Sequence, residues 1–321
     1  MEKLIIHTGM HKTGSSSIQD TLAAALNHPE YHYFSFDGRP NSSQAILQGF
    51  HYNNPGKQRM RESISSSLQS CKANIGIISA EGINRLVKKN LIELFAVLKK
   101  HADTIQVVSY VREPRGRIES SFQEVLKVRA VAEPINFAMY MPTVHKFDHV
   151  FGRSNNYLWQ FDPTLFPEKD VVIDFCTRLN IPINKNKIIR SNVGLSLDAV
   201  RMLWCYRMIN PTPTNFDRPI VNQLYDLKGV KLSFGAGMLS RVCEIKESQI
   251  TAVERRLQFK FKAADFKRKP GNIHSYKALQ AISPKGLKWL AEKADVKLSG
   301  LDGPQGIADA LIKLAKEGSR K

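Results

Sequence analysis

No run of eighteen apolar residues occurs anywhere in the sequence, which excludes a membrane-spanning helix by length. Internal repeats and low-complexity blocks are absent too, and with them solenoid and fibrous architectures. Cysteine is sparse: Cys71, Cys176, Cys205 and Cys243 stand far apart, with no CxxC pair and no matching histidine spacing. Neither a zinc site nor a disulfide framework follows, and reduced, buried thiols are expected. Acidic residues are few beside the 47 Lys and Arg, leaving a net charge of +18 over 321 residues. Such an excess concentrates anions, whether nucleotides, acidic polysaccharides, nucleic acid or an anionic membrane surface, without choosing among them. Because the lysines are spread along the chain, a generally basic, solvated surface accounts for it equally well.

What is present is ordinary globular composition, 42% hydrophobic and 24% charged. The first segment, Met1-Glu2-Lys3, runs straight into a strand-like stretch without a cleavable apolar region, so a soluble, cytoplasmic protein is expected. Over the first 125 residues or so, strand candidates Lys3–Thr8, Tyr31–Phe36, Asn74–Ser79 and Ile105–Val111 alternate with helix candidates. Those helices are Ser15–Leu26 with serine caps, Gln58–Ser70, Ile83–Lys100 and Arg115–Arg129. The alternation predicts an α/β fold, a P-loop-like central parallel sheet flanked by helices. A last strand at Tyr157–Phe161 and helices at Val171–Leu179 and Leu197–Met208 follow. The Pro- and Gly-rich stretch Thr212–Gly237 reads as a long loop or lid. Helices at Pro284–Ala294, capped by Ser283, and Gln305–Lys316 predict a helical C-terminal extension. The expected division is an α/β domain over residues 1–265 and that extension over 266–321.

Two motifs carry chemistry. In "LIIHTGMHKTGSSSIQ", a strand ends in glycines that bracket Lys12 and then enters a serine-rich helix start. The glycines permit a tight turn whose N–H groups point at an anion, and the helix N-terminus adds positive potential. Thr13, Gly14, Ser15, Ser16 and Ser17 supply donors, and Lys12 a mobile charge. The lysine precedes Gly14, whereas the familiar GxxxxGK[ST] loop places it after the second glycine. In "VVSYVREPRGRIESSF", Arg112 ends a strand at the carboxyl edge, where open α/β sheets bind ligands. Ser120 and Ser121 follow two turns into the next helix, and arginine with a hydroxyl suits a terminal phosphate. Each motif has a plainer reading: a capped strand-turn-helix with a solvated lysine, and an arginine paired with Glu113 or Glu119.

Together, "GMHKTGSSSIQ" and "REPRGRIESSF" resemble the 5′-phosphosulfate loop and the 3′-phosphate segment of sulfotransferases that use 3′-phosphoadenosine 5′-phosphosulfate (PAPS). The resemblance extends through "FDPTLFPEKDVVIDFCTRLNIP" and "SNVGLSLDAVRMLW" to bacterial carbohydrate-type members, covering Leu4 to Met208; the final third matches little. It implies that Lys12 neutralises the departing phosphate and that Arg112 and Ser120 bind the 3′-phosphate. It also implies a histidine or glutamate base. Glu81, in "IISAEGINRL", lies just beyond a strand end on the same sheet edge and could take a hydroxyl proton. Equally, Glu81 could favour a helix N-terminus behind a Ser79 cap. His7, in a strand, and His11, inside the loop, are weaker base candidates.

The resemblance thus implies sulfuryl transfer from PAPS to a hydroxyl of a glycan or glycolipid, acidic acceptors suiting the charge, with no metal and no nucleic-acid partner expected. Two alternatives stay open. A nucleotide-dependent kinase with a variant phosphate loop lacks the lysine–serine/threonine order that places a hydroxyl on magnesium. A non-catalytic polyanion- or nucleic-acid-binding protein explains the charge but not the paired motifs. Three further features carry no assignment. Asp226–Gly237 is either a cover for the nucleotide or plain surface. Trp159, Trp204 and Trp289 are more often core than sugar platforms. The charge run Lys260–Lys269 is either glycan-facing or a solvated helix face.

Overall fold

The computed structural model describes residues 1–10, 12–53, 55–131, 140–191, 194–242, 247–261 and 272–318. His11, Cys243 and most of the Lys260–Lys269 run lie outside the described residues. In chain order the first elements are β1 (Lys3–His7), α1 (Ser15–Ala25), β2 (Tyr31–Tyr33), α2 (Ser43–Phe50) and α3 (Lys57–Ser70). Then come β3 (Ile75–Ser79), a 3-10 turn at Glu81–Arg85, α4 (Lys88–Leu98), β4 (Thr104–Arg112) and α5 (Pro114–Val128). These are followed by α6 (Tyr140–Phe151), β5 (Asn156–Phe161), α7 (Val171–Arg178), α8 (Leu197–Ile209) and α9 (Asp217–Leu224). The chain closes with β6 (Ser233–Phe234), α10 (Ala236–Val242), α11 (Glu247–Leu257), β7 (Asn272–Ile273), α12 (Pro284–Ala294) and α13 (Gly303–Gly318).

Two compact units share the chain. One comprises Met1–Arg112, Met139–Asn192 and Ser248–Lys260; the other comprises Glu113–Ala138, Val193–Glu247 and Phe261–Lys321. The first unit is the α/β body. Its five-stranded sheet has the order β2-β3-β1-β4-β5, and every neighbouring pair is parallel. Successive side chains of a strand face opposite ways, so the all-apolar core of β1 supplies both faces at once. Leu4 and Ile6, with Ile78 and Val107, enter a core built with α2, α3, α4 and α6 residues such as Leu47, Ile64, Leu94 and Phe147. Ile5, with Ile77, Val108 and Tyr110, enters the opposite core with Ile18 and Leu22 of α1 and Val172 and Phe175 of α7.

The order of strands fixes where a ligand can bind. After β1 the chain moves towards β2 and β3, whereas after β4 it moves towards β5. The carboxyl ends of β1 and β4 therefore flank the point where the winding reverses, the crevice in which such sheets bind ligands. The residues Lys12 and Arg112 follow and end those two strands, respectively.

The second unit is mostly helical and carries a two-stranded parallel pair, β6-β7. Several expectations change here and in the first unit. Thr212–Gly237 is not one loop: it contains α9, whose Ile220, Val221 and Leu224 are buried. The predicted helix Ile83–Lys100 is broken into a 3-10 turn and α4, because Leu86 and Val87 between them are extended. Strand β2 stops at Tyr33, short of Phe36. The Ser283 cap stands, its hydroxyl accepting from the Gly286 N–H. Cys71, Cys176 and Cys205 are free thiols; burial pushes Cys176 up to about 12 and Cys205 to about 11, so both stay protonated at neutral pH. Trp159 packs against Tyr110 and Trp204 stacks on Tyr276, with ring centroids 5.4 and 5.3 Å apart.

Candidate functional site

The loop after β1 is shaped by left-handed backbone. Gly9, Lys12 and Gly14 have φ of 48°, 69° and 77°. Glycine is required at both ends for space as well as conformation. A Cβ on Gly9 would collide with the Ser15 hydroxyl and lie 2.8 Å from Glu81 Cγ; one on Gly14 would lie 2.6 Å from Val171 Cγ1 of α7. Lys12 holds the same conformation with a side chain, at a cost of about 1 kcal/mol that the surrounding fold must offset. Thr13 Oγ1 donates to the Met10 carbonyl at 2.5 Å and ties the loop to itself.

Helix α1 begins on Gly14, not on a serine cap: Gly14 is its N-cap, with no side-chain bond. The sequence-predicted serine caps are thereby corrected, and the reason is the left-handed Gly14, which turns the chain directly into the first helical residue. The helix leaves its first N–H groups without helical partners. Beside them the Ser15 hydroxyl is buried, and it has no hydrogen-bond partner among the described residues. Ser16 is half-buried in the same turn. Ser17 is used structurally: its Oγ accepts from the Ser191 N–H at 2.9 Å and donates to the Ser191 carbonyl at 3.2 Å.

Arg112, at the end of β4, meets this loop. Its Nη1 donates to the Lys12 carbonyl at 3.1 Å, and its guanidinium lies 5.5 Å over the Phe161 ring of β5. The Tyr140 hydroxyl, at the start of α6, donates to the Arg112 carbonyl. Thus Lys12 and Arg112, a hundred residues apart, come together at the winding reversal. Ser120 lies on α5 in the second unit, half-buried. There the Glu113 carboxylate caps α5 through the Arg115 and Gly116 N–H groups, and Glu119 pairs with Arg115 at 3.0 Å.

Glu81 opens the 3-10 turn after β3, its Cγ against Gly9. The expected Ser79 cap is not formed. Ala80 is the N-cap, and the Ser79 hydroxyl is engaged inside the sheet by His7 Nδ1 at 2.8 Å and Gln19 Nε2 at 3.1 Å. His7 is fully buried against Phe175, and desolvation lowers its pKa to about 4 although the nearby Glu81 charge opposes this. It is therefore neutral at physiological pH, with Nε2 left without a partner among the described residues. Asn84 closes the turn onto the loop, its Nδ2 donating to the Thr8 and Gly9 carbonyls at 2.8 and 3.0 Å. Neither Asn84 nor the helix α6 beneath it was signalled by a motif.

Chemically, the arrangement offers an anion a turn with left-handed backbone at Gly9, Lys12 and Gly14, a helix N-terminus, an orphaned hydroxyl and two cationic residues, Lys12 and Arg112, with the Glu81 side chain against Gly9. Among the described residues no group of three or more His, Cys, Asp or Glu could hold a metal, and no helix is long and apolar enough to cross a membrane.

No protein-family model matches the sequence, and no curated protein matches it. Among solved structures, the chain is similar to a sulfotransferase from Alicyclobacillus acidocaldarius, with 10% identity and a TM-score of 0.39, over 80% of this chain and 96% of that one.

Proposed function

We propose that the protein is a sulfotransferase that uses PAPS and a hydroxyl acceptor on a glycan or glycolipid. The observation that supports this reading is the hydrogen bond from Arg112 to the Lys12 carbonyl, a contact between one residue of each phosphate-type motif. A donor with phosphates at both ends of an adenosine needs such a pair; a nucleoside triphosphate does not. The buried Ser15 hydroxyl, unpartnered among the described residues, fits an anionic oxygen of that donor, as does the left-handed backbone at Gly9, Lys12 and Gly14. When bound, PAPS supplies the sulfuryl group.

The chain's own residues then divide the work. The N–H groups of the first turn of α1, with Gly14, Thr13 and the hydroxyls of Ser15 and Ser16, bind the 5′ end. Ser17 contributes through its backbone, since Ser191 occupies its hydroxyl. Lys12 neutralises charge growing on the bridging oxygen, an interaction stronger in the transition state than in the ground state. Arg112 binds the 3′-phosphate. Glu81 takes the proton of the acceptor hydroxyl, while His7, neutral and enclosed, is ill placed for it. A net charge of +18 favours acidic acceptors.

The test is transfer of labelled sulfate from PAPS to a panel of sugars, glycolipids and phenols without added metal. Transfer to sugar hydroxyls is expected. No transfer, with preference for ATP and magnesium, would indicate a kinase. Indifference to nucleotides, with polyanion binding that weakens steeply in salt, would indicate a binding module.

A further inference from the structure

Two strand ends of the site are braced by one helix that the proposed chemistry does not use. From α6, the Tyr140 hydroxyl holds the Arg112 carbonyl, and six residues later Lys146 Nζ reaches the turn after β3. Lys146 donates to the carbonyls of Asn84 and Leu86, at 2.9 and 2.6 Å, where the 3-10 turn leaves acceptors without helical partners. From that turn Asn84 spans to the loop. Only its NH2 group can satisfy two carbonyls, so the amide orientation is fixed by chemistry, and both donors are spent on Thr8 and Gly9. Its Oδ1 is buried without a partner among the described residues, a cost accepted where the amide does something else.

We propose that Asn84 is a positioning residue for the phosphate loop, with Lys146 anchoring the turn that carries both it and Glu81. This rests on the sulfotransferase reading for its consequence in catalysis. The two carbonyls that Asn84 grips belong to the residues where β1 becomes the loop. Released, they would let Gly9 shift against the Ser15 hydroxyl and the Glu81 side chain that enclose it. Because Glu81 starts the turn that contains Asn84 and is capped by Leu86, a change in the Lys146 anchor moves the carboxylate and the loop clamp together.

The decisive variant is Asn84→Asp, which keeps the shape but sets carboxylate oxygens against two carbonyl oxygens. In the full-length protein, three readouts separate the roles: the melting temperature, hydrogen exchange of the loop amides, and affinity for 3′-phosphoadenosine 5′-phosphate (PAP). Expected are loop amides from Gly9 to Ser17 exchanging at least about tenfold faster. PAP affinity and turnover should fall by up to about 10²-fold, as for a misplaced reacting group. A residue that merely supported the fold would lower the melting temperature and leave PAP affinity and relative loop exchange of the folded protein unchanged; that result would overturn the proposal. Should Asn84→Asp fail to fold, Lys146→Met decides by the same readouts, with Lys146→Arg expected to restore most of the loss. If the wild type shows no affinity for PAP, the sulfotransferase reading falls, and the exchange of the loop amides alone decides for or against Asn84.

Discussion

Two buried polar regions are treated in opposite ways. In the second unit, Arg207 of α8 is almost fully enclosed and every side of its guanidinium is met. Nε and Nη2 donate to the Leu126 and Lys127 carbonyls at 2.8 Å, Nη1 to Asn210 and Thr212 at 3.3 Å, and Asp217 pairs with Nη2 at 2.9 Å. Around the loop of the first unit, by contrast, Ser15 Oγ, His7 Nε2 and Asn84 Oδ1 are buried without partners among the described residues. Most buried polar groups that build a fold are satisfied by it; Trp204 Nε1, on α8, is an exception among the described residues. One left wanting lowers stability and is tolerated where something else gains from it. The satisfied cluster closes the C-terminal end of α5 against α8 and α9, and the unsatisfied one surrounds the loop after β1 that is proposed to bind the donor.

That contrast can be broken at either end. The largest effect is expected from Arg207→Met, which takes the paired cation from Asp217 and the donor from four carbonyls; unfolding free energy, read from a urea titration, should drop by about 3–5 kcal/mol. A loss below about 1 kcal/mol would contradict a structural hub. Next, Lys12→Ala should slow sulfate transfer by about 10²- to 10³-fold, as loss of one transition-state donor does, with the melting temperature little changed or raised. Wild-type turnover in that variant would remove Lys12 from the reaction.

His7 makes stability depend on pH in a definite direction. Its folded pKa, about 4, lies below the unfolded value of 6.5, so protonation favours the unfolded chain. Stability is full above pH 6.5 and declines as pH falls towards 4, at about 1.4 kcal/mol per pH unit for one proton. Replacing the ring by His7→Gln should flatten that slope; an unaltered slope would mean the ring is not the group responsible. The smallest effect belongs to Ser15→Ala. Removing an unpartnered hydroxyl should leave stability within about 0.5 kcal/mol. PAP affinity should weaken by about fivefold, the size of one hydrogen bond.

Much of the first unit was legible along the chain. The strands β1, β3 and β4 announce themselves as short runs rich in β-branched residues, and the glycines around Lys12 mark a loop that approaches something closely. Helix α6 was not anticipated, although Tyr140, Val144, Phe147 and Phe151 repeat at helical spacing and are buried. Pro142 reads as a breaker there, yet it sits in the first turn, where its missing N–H is harmless. α9 was hidden in a stretch whose prolines and glycines dominate the pattern. Asn84 had no local signal at all. An asparagine in "EGINRL" belongs to no motif, and its partners lie 75 and 76 residues away. What a chain pattern cannot carry is such a tertiary clamp, or the choice Ser17 makes between a ligand and Ser191.

The central claim is that Lys12 and Arg112 bind opposite ends of one nucleotide. Calorimetric titration of the wild type and of Arg112→Ala with PAP and with adenosine 5′-monophosphate tests it most directly. The wild type should prefer PAP by about 10- to 10²-fold, the size of hydrogen bonds to a charged group, and Arg112→Ala should erase the preference while still binding the 5′-phosphate. Equal affinity of the wild type for both nucleotides, or a preference that survives in Arg112→Ala, would contradict it.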